Sequence, residues 1–503
     1  MVPDIKTGYY KKFILCIAAG IAVPLAFAPY ELALVAFIST AVLFYVWYDS
    51  EPKTAFLTGY VYGFCMFGAG LGWLHISINL FGGVNLTGAY FITGLLVAFL
   101  ALYPALAGFT SCKFGKNNRC LALIVLMPAA WTLAEWFRSW ILTGFPWLDM
   151  GYSQTDTQLS GVAPIFGVYA ITWLVCTCAA LVVALFKVNL RFKGVVVLAI
   201  ICIWTFAVAV HDIKWTNSET GQRSVALVQG AIPQELKWSP KLQQHTIDLY
   251  SSLTEPYWGS DLIIWPETAI PMFFDQAAGT VLEKLRTQAV TFHTDLITGI
   301  PSRDMDNRKY YNSIIVIGST SDIYNKRHLV PFGEYLPFDS WLRPLLNAMH
   351  IPMSSFSPGK GKPLVHAAGI PIGVSICYED VFGEETIDAL PEAKLLVNVS
   401  NDAWFGDSLA PHQHLQMARM RAIETGRYML RATNTGITAI IDETGNIVSQ
   451  TVQFKPDVIF GKVKLFTGMT PYASYGNVPV TVFVFILCLV IIFYDYRKRR
   501  AEK

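Results

Sequence analysis

The chain has 503 residues, 53% of them hydrophobic and only 15% charged, with a mean hydropathy of +0.42 and a formal net charge of +2. Ordinary soluble proteins carry about 25% charged residues, and this composition excludes intrinsic disorder, a collagen-like chain and a small disulfide scaffold. It also argues against a nucleic-acid partner, which calls for a concentrated basic surface.

The apolar residues fall into two blocks. Residues 1–210 and 479–494 are nearly continuous apolar runs, whereas 211–478 reads as an ordinary globular domain. A spanning helix needs about 20 mostly apolar residues. Runs at 13–29, 31–48, 55–80, 88–111, 121–138, 162–186 and 194–210 predict seven spans, and 479–494 predicts an eighth. The third run carries Gly59, Gly63, Gly68, Gly70 and Gly72, a pattern for close helix packing. Pro24, Pro104 and Pro128 lie inside runs, where neighbouring helices tolerate kinks. Lys6, Lys11 and Lys12 ahead of Ala26-Phe27-Ala28 mimic a secretory signal, but Pro29 disfavours cleavage and the segment reads as an uncleaved helix. Glu135 and Arg138, three apart on one helical face, read as a snorkelling ion pair. The turn Phe145-Pro146-Trp147 is expected at the membrane surface.

Loop charges set the orientation. With the N-terminus cytoplasmic, the inside segments collect Lys53, Lys113, Lys116, Arg119, Lys187, Arg191, Lys193 and the tail Arg497 to Lys503, and the short outside loops carry only Arg138. An odd number of spans then puts the globular stretch outside the cytoplasm and both termini inside. The chain reads as a transmembrane domain over 1–212, an extracytoplasmic domain over 220–466, and an eighth helix with a basic tail over 467–503.

Within the globular stretch, SVALVQ (224–229), DLIIW (261–265), LITGI (296–300), SIIVIG (313–318), IGVSI (372–376), KLLVNVS (394–400) and ITAIID (437–442) have strand length and composition. Helical stretches at 240–254, 277–293 and 411–426 alternate with them, which makes this an α/β domain. Of nine cysteines only Cys377 lies here, and a lone thiol in an exported domain forms no disulfide of its own. Taken alone it reads as a small buried hydrophobe. Three strands, however, run into chemistry-bearing residues. DLIIW leads to Glu267, the chain after SIIVIG reaches Lys326 and then Glu334, and IGVSI leads directly into Cys377-Tyr378-Glu379-Asp380. A carboxylate or a lysine at one such end is ordinary surface. A thiol, an amine and a carboxylate held at three strand ends together suit a base-assisted nucleophile with a cationic stabiliser. Glu379 and Asp380, next to the thiol, would oppose a permanent thiolate. His412 and His414 lack a third ligand, so no metal is expected.

The strings WPET (265–268), YNKRHLVPFGEY (324–335) and GVSICYED (373–380) resemble the Glu-Lys-Cys motifs of the carbon-nitrogen hydrolase (nitrilase) superfamily. TGFPWLDMGYSQ (143–154), SNDAWFG (400–406) and RATNTGITAIID (431–442) are similar to the apolipoprotein N-acyltransferase family, and the likeness spans nearly the whole chain. The resemblance implies eight spanning helices and a nitrilase-like α-β-β-α sandwich in a bacterial inner membrane, with the catalytic domain periplasmic. It implies Cys377 as nucleophile, Glu267 as general base, Lys326 as oxyanion stabiliser, Glu334 as an orienting carboxylate, and Tyr378 and Glu379 as further catalytic residues. The implied donor is a phospholipid, phosphatidylethanolamine in the usual case, and the implied acceptor is the α-amino group of a diacylglyceryl-cysteine apolipoprotein. Transfer would run through a Cys377 thioester in two half-reactions, without a cofactor. Trp238, Phe273, Phe274 and Trp147 are the expected lipid contacts. Two rival classes are a transporter, which would place more polar groups inside the spans, and a membrane-anchored amidase acting on a small amide.

Overall fold

Apolar runs without room for solvent fold as helices, which satisfy every backbone polar group internally. The computed structural model describes residues 4–237, 240–340 and 355–501. The chain forms two units, one of Met1–His75, Asn85–Ile213 and Tyr475–Lys503, the other of Ile76–Val84 and Lys214–Ser474.

The first unit is helical. Among the described residues six helices are long and apolar enough to cross a membrane: Pro52–Leu71, Leu86–Phe114, Arg119–Arg138, Val168–Lys187, Leu190–His211 and Val478–Arg500. Two of the eight predicted spans fall outside that set. Asp4–Ala22 carries Asp4, Lys6, Lys11 and Lys12 along its first half, and Leu34–Tyr48 has 15 residues, about 22 Å at 1.5 Å per residue. The third predicted span also ends early. Its helix stops at Leu71, and Leu74–Leu80 is a separate short helix. The polar groups His75, Ser77 and Asn79 explain the break. The Asn79 amide donates to Val84 O at 2.8 Å, and Ser77 gives its hydroxyl to the Trp404 carbonyl, within the second unit.

Small residues let two of the long helices pack closely. A Cβ on Gly59 would stand 2.8 Å from Pro104 O, and one on Gly63 would stand 3.1 Å from Ala101 Cα. Backbones this close leave room for glycine alone. Pro128 follows a π-helical turn at Ala122–Leu126, which absorbs the hydrogen bond that proline cannot make. The predicted Glu135–Arg138 snorkelling pair is not formed, because both residues are buried and each has a closer partner. Arg138 pairs with Asp149 and donates to Phe145 O at 2.7 Å and Trp147 O at 2.6 Å. Glu135 accepts from Trp131 Nε1 at 2.8 Å, Thr172 Oγ1 at 2.8 Å and Met150 N at 3.0 Å.

The second unit contains two six-stranded sheets. The first has the order β12-β1-β2-β3-β4-β5, from Asp457–Thr467 (β12), Asn217–Gln229 (β1), Leu262–Ile264 (β2), Asp295–Asp304 (β3), Lys309–Ile317 (β4) and Ile323–Asn325 (β5). The second has the order β11-β10-β9-β8-β7-β6, from Ile447–Gln450 (β11), Ala439–Ile441 (β10), Met429–Thr433 (β9), Leu395–Ser400 (β8), Ile370–Ile376 (β7) and Leu364–Ala367 (β6). Each sheet has a parallel centre, β1-β2-β3 in one and β7-β8-β9 in the other, with antiparallel strands outside it. Strand alternation divides the side chains between layers. Val225, Leu227, Leu262, Ile264, Leu395, Val397 and Val399 meet in one core between the sheets. Ala226, Val228, Ile263 and Trp265 point the other way, onto Tyr250, Leu282 and Leu285 of helices Pro240–Thr254 and Val281–Thr291. Leu396 and Met429 pack on Leu415, Ala418 and Ala422 of Ala410–Thr425. Burial on both faces is why these strands read as unbroken apolar runs. The helix predicted over 277–293 is two, Phe274–Ala277 and Val281–Thr291, parted near Gly279.

Candidate active site

The site is built at the carboxyl ends of strands, where a side chain leaves a rigid ladder and reaches the rim. β7 ends at Ile376, and Cys377 follows in the left-handed region at φ +52°. A β-carbon there is unfavourable by roughly 1–2 kcal/mol. The surrounding bonds hold it, with Asn398 Nδ2 donating to Cys377 O at 3.2 Å and to Ser375 Oγ at 2.9 Å. Glu267 follows β2, and Thr268 beside it is also left-handed, at φ +50°. Gly299 of β3 is the floor under this turn. A Cβ there would stand 2.4 Å from Thr268 N and 2.6 Å from Glu267 Cα. Gly299→Ala should therefore displace Glu267 and, if this carboxylate serves the thiol, lower turnover by roughly 100-fold, the cost of a shift near 1 Å in a catalytic group. Steady-state assay beside an unfolding curve of the variant checks this, since a loss of folding would exceed the overpacking cost of about 1–3 kcal/mol.

Lys326 follows β5 and is 1% exposed. Its ammonium lies 2.9 Å from Glu334 Oε1 and 2.8 Å from Oε2. Asn312 of β4 ties the carboxylates together, donating to Glu267 Oε1 at 2.7 Å and to Glu334 Oε1 at 3.1 Å. Glu334 thus rests on Lys326. Glu379 is fully occupied. It accepts from Tyr324 Oη at 2.8 Å, Arg327 N at 2.6 Å, His328 N at 3.1 Å and Ile376 N at 2.7 Å. It braces the loop carrying Lys326 against the strand carrying Cys377. The Tyr378 ring meets Phe382 edge-on at 5.1 Å.

The electrostatics follow from burial. Burial pushes the Cys377 thiol up, the Glu267 carboxylate pushes it further, and Lys326 only partly opposes them. These influences hold the thiol in its neutral form at rest. The expected opposition to a thiolate is present, but it comes from burial, Glu267 and Asp402 and not chiefly from Glu379 and Asp380. Burial also raises the Glu267 carboxyl above the usual carboxylate range, with Lys326 pulling it down and Glu334 pushing it up. Burial alone would lower the Lys326 ammonium, yet Glu334 first and Glu267 after it raise it, so it stays charged.

Beneath the thiol lies a charged cluster that the strand-end reasoning did not find. Arg431 of β9 donates to Asp380 Oδ2 at 2.8 Å, Asp402 Oδ2 at 3.0 Å and Asn398 Oδ1 at 2.7 Å. His414 lies between the same carboxylates, Nε2 at 2.7 Å from Asp380 and Nδ1 at 3.1 Å from Asp402. All four residues are buried. Among the described residues no group of three or more His, Cys, Asp or Glu side chains is arranged to hold a metal ion. Burial would raise the Asp402 carboxyl, but Arg431 and His414 hold it well below the usual range. Its stabilising contribution is present above the ordinary carboxylate pKa and is lost as pH falls through the depressed native value. Arg431→Met strands two buried carboxylates and should cost about 3–5 kcal/mol. Urea unfolding of the variant at neutral and mildly acidic pH measures this, and its deficit against the parent should narrow as pH falls, because the stranded carboxylates then take up protons in the native state.

Of the expected lipid contacts, Phe274 is 40% exposed. Phe273 lies under the Arg303 guanidinium at 4.7 Å and beside Tyr310 at 5.7 Å. Trp147 belongs to the first unit, where it is buried against Trp73 and Phe145. Trp238 lies outside the described residues. Lys237, one position earlier, is buried and donates to Glu267 O at 2.9 Å. Neither Lys237 nor Asn312 was singled out from sequence. Asn312 left a faint signal, an amide entering the apolar run of β4, whereas Lys237 left none.

Two sheets with a thiol, a lysine and a carboxylate at their strand ends define a carbon-nitrogen hydrolase fold, and residues 224–467 match the carbon-nitrogen hydrolase family model. Residues 19–181 match a second model, the apolipoprotein N-acyltransferase N-terminal domain. The chain is 42% identical to an apolipoprotein N-acyltransferase of Methylococcus capsulatus, over 98% of this chain and 97% of that protein. It is 41% identical to that of Nitrosomonas europaea over 96% and 97% of the two chains, and 38% identical to that of Vibrio cholerae over 96% of each. The chain belongs to the apolipoprotein N-acyltransferase family.

Proposed function

We infer that this protein is a bacterial membrane acyltransferase that moves an acyl chain from a phospholipid to the N-terminal amine of a diacylglyceryl-cysteine apolipoprotein. The observation that carries the reading is the joint presence of the family's two matched regions and a neutral buried thiol facing a carboxylate and an ammonium. A small-amide hydrolase would use the same three groups but gives no reason for the match over 19–181.

In this reading Cys377 attacks the ester carbonyl of the donor while Glu267 takes the thiol proton. Lys326, held by Glu334, stabilises the oxyanion together with a backbone N–H near Tyr378. The lysophospholipid alkoxide takes the proton back as it leaves, and a thioester remains on Cys377. The lipoprotein amine then attacks the thioester and loses its proton to Glu267; the C–S bond breaks, the acyl chain leaves as an amide, and Glu267 returns the proton to the Cys377 sulfur. Glu379 serves by bracing, and Phe273 and Phe274 by meeting the acyl chain. Phosphatidylethanolamine is the donor we assign. We assign eight spans to the chain, the six long helices together with Asp4–Ala22 and Leu34–Tyr48, arranged as a transmembrane domain over 1–212, a periplasmic catalytic domain over 220–466 and a last helix with a cytoplasmic tail over 467–503. Loop charge supports this orientation.

The test uses the full chain in vesicles containing acyl-labelled phosphatidylethanolamine and a diacylglyceryl-cysteine peptide. Label in amide linkage at the peptide N-terminus is the expected product. Hydrolysis of small amides with no transfer to the peptide would overturn the reading. A C-terminal reporter should behave as cytoplasmic, and one that behaves as exported would refute the eight-span arrangement.

A further inference from the structure

A lysine whose ammonium is withdrawn from water is normally found paired with a carboxylate. Lys237 is 3% exposed, and among the described residues its one hydrogen bond goes to a main-chain carbonyl, that of Glu267, at 2.9 Å. The helical turn Gln234–Lys237 that carries it is fixed from below by buried amides. Gln234 Oε1 accepts from Asn401 Nδ2 at 2.7 Å, Asn434 Nδ2 donates to Asn401 Oδ1 at 3.1 Å, and Asn434 exchanges two bonds with the backbone of Ile232, at 2.8 and 3.0 Å. Asn401 and Asn434 lie just past the ends of β8 and β9, so the second sheet sets where Lys237 stands. Burying an ammonium here costs more than leaving it on the surface, and a carbonyl needs no full charge to satisfy it.

We propose that Lys237 is a positioning residue for the general base: its ammonium pins the Glu267 backbone and sets a second positive charge beside the carboxylate that takes the thiol proton. The proposal rests on the reading of Glu267 as that base. The charged and titratable groups facing the Glu267 carboxylate are Lys326 and Glu334 from the loop after β5, Lys237 from the turn after β1, and Cys377 from the end of β7. Lys326 is already divided among Glu334, Cys377 and Glu267, while Glu334 pushes the Glu267 carboxyl up. Lys237 counters that push. Burial lowers its own ammonium to about 8, against the opposing pull of Glu267 and Cys377. The counter-charge is therefore present below about pH 8 and fades above it.

The sign of the effect is definite. Glu267 must be ionised to act, so the acylation rate falls as pH drops through its raised value. Removing the Lys237 charge raises that value further and moves the acid limb to higher pH. At alkaline pH the lysine is neutral in the parent as well, so the two profiles converge.

The test measures acyl-enzyme formation on the full chain in micelles with acyl-labelled phosphatidylethanolamine, from about pH 5 to about pH 9. Lys237→Gln keeps a donor for Glu267 O without the charge, Lys237→Met is a second neutral variant, and Lys237→Arg keeps the charge. The neutral variants should show an acid limb shifted up by roughly one pH unit, a roughly tenfold lower rate on the acid side, and convergence with the parent at high pH. Lys237→Arg should keep the parent limb. Superimposable profiles for the parent and Lys237→Gln would overturn the proposal, and so would an equal loss at every pH in all three variants, which marks a purely structural lysine. Glu267→Gln run in parallel separates this from the underlying reading. If Glu267→Gln acylates at the parent rate, the general-base role itself fails; if it is inactive while Lys237→Gln is unshifted, only the role of Lys237 fails.

Discussion

Cys377→Ser should lose acyl transfer by on the order of 10⁴-fold, while its unfolding curve should stay close to that of the parent. The oxygen replaces sulfur with little change of volume, and the left-handed backbone at φ +52° is the same demand for either residue. What changes is the atom we propose as nucleophile. Burial and the Glu267 charge keep the thiol protonated at rest, so reaction depends on how readily the attacking atom gives up its proton in the transition state. A hydroxyl gives it up far less readily than a thiol under the same base. A loss of this size corresponds to ~5.5 kcal/mol of transition-state stabilisation. The measurement is a single-turnover acylation assay on parent and variant. Activity within tenfold of the parent would mean that sulfur is not the attacking atom.

Lys326→Arg should lose about 10²–10³-fold in kcat although the charge is kept, the range found when one oxyanion donor is removed. The Lys326 side chain is 1% exposed and its ammonium is seated on both oxygens of Glu334, at 2.8 and 2.9 Å. A guanidinium is planar and broader than an ammonium, and its bidentate fit to Glu334 would turn its N–H groups away from the thiol. The loss should fall on kcat with KM nearly unchanged, since the interaction strengthens only as negative charge builds on the carbonyl oxygen. Near-parental turnover would make Lys326 a background charge.

The elements that the sequence made legible share one physical property. β2, β7 and β8 are buried on both faces, so their apolar residues run unbroken and the polar residue that ends each run stands out. Glu267 and Cys377 were visible for that reason. β5, β6 and β11 have three or four residues at sheet edges, too few for a period to register. β9 hides for another reason, since its centre is Arg431, a residue that reads as surface and is in fact buried among carboxylates. The same holds for the cluster of Asp380, Asp402, His414 and Arg431. Each lies on a different element, and only the parallel order of β7, β8 and β9 brings them together. The third apolar run was overestimated because hydropathy averages over Ser77 and Asn79, while the helix responds to where each polar group finds its partner.

The central claim is a covalent acyl-enzyme on Cys377, and one measurement reaches it directly. The parent protein is mixed with acyl-labelled phospholipid and no acceptor, quenched, digested and examined by mass spectrometry. The account predicts one lysophospholipid released per active site and one acyl group on the peptide containing Cys377, removed by neutral hydroxylamine and cleared by added acceptor peptide. An unmodified Cys377 peptide, together with intersecting initial-rate plots for donor and acceptor, would contradict it and establish direct transfer between two bound lipids.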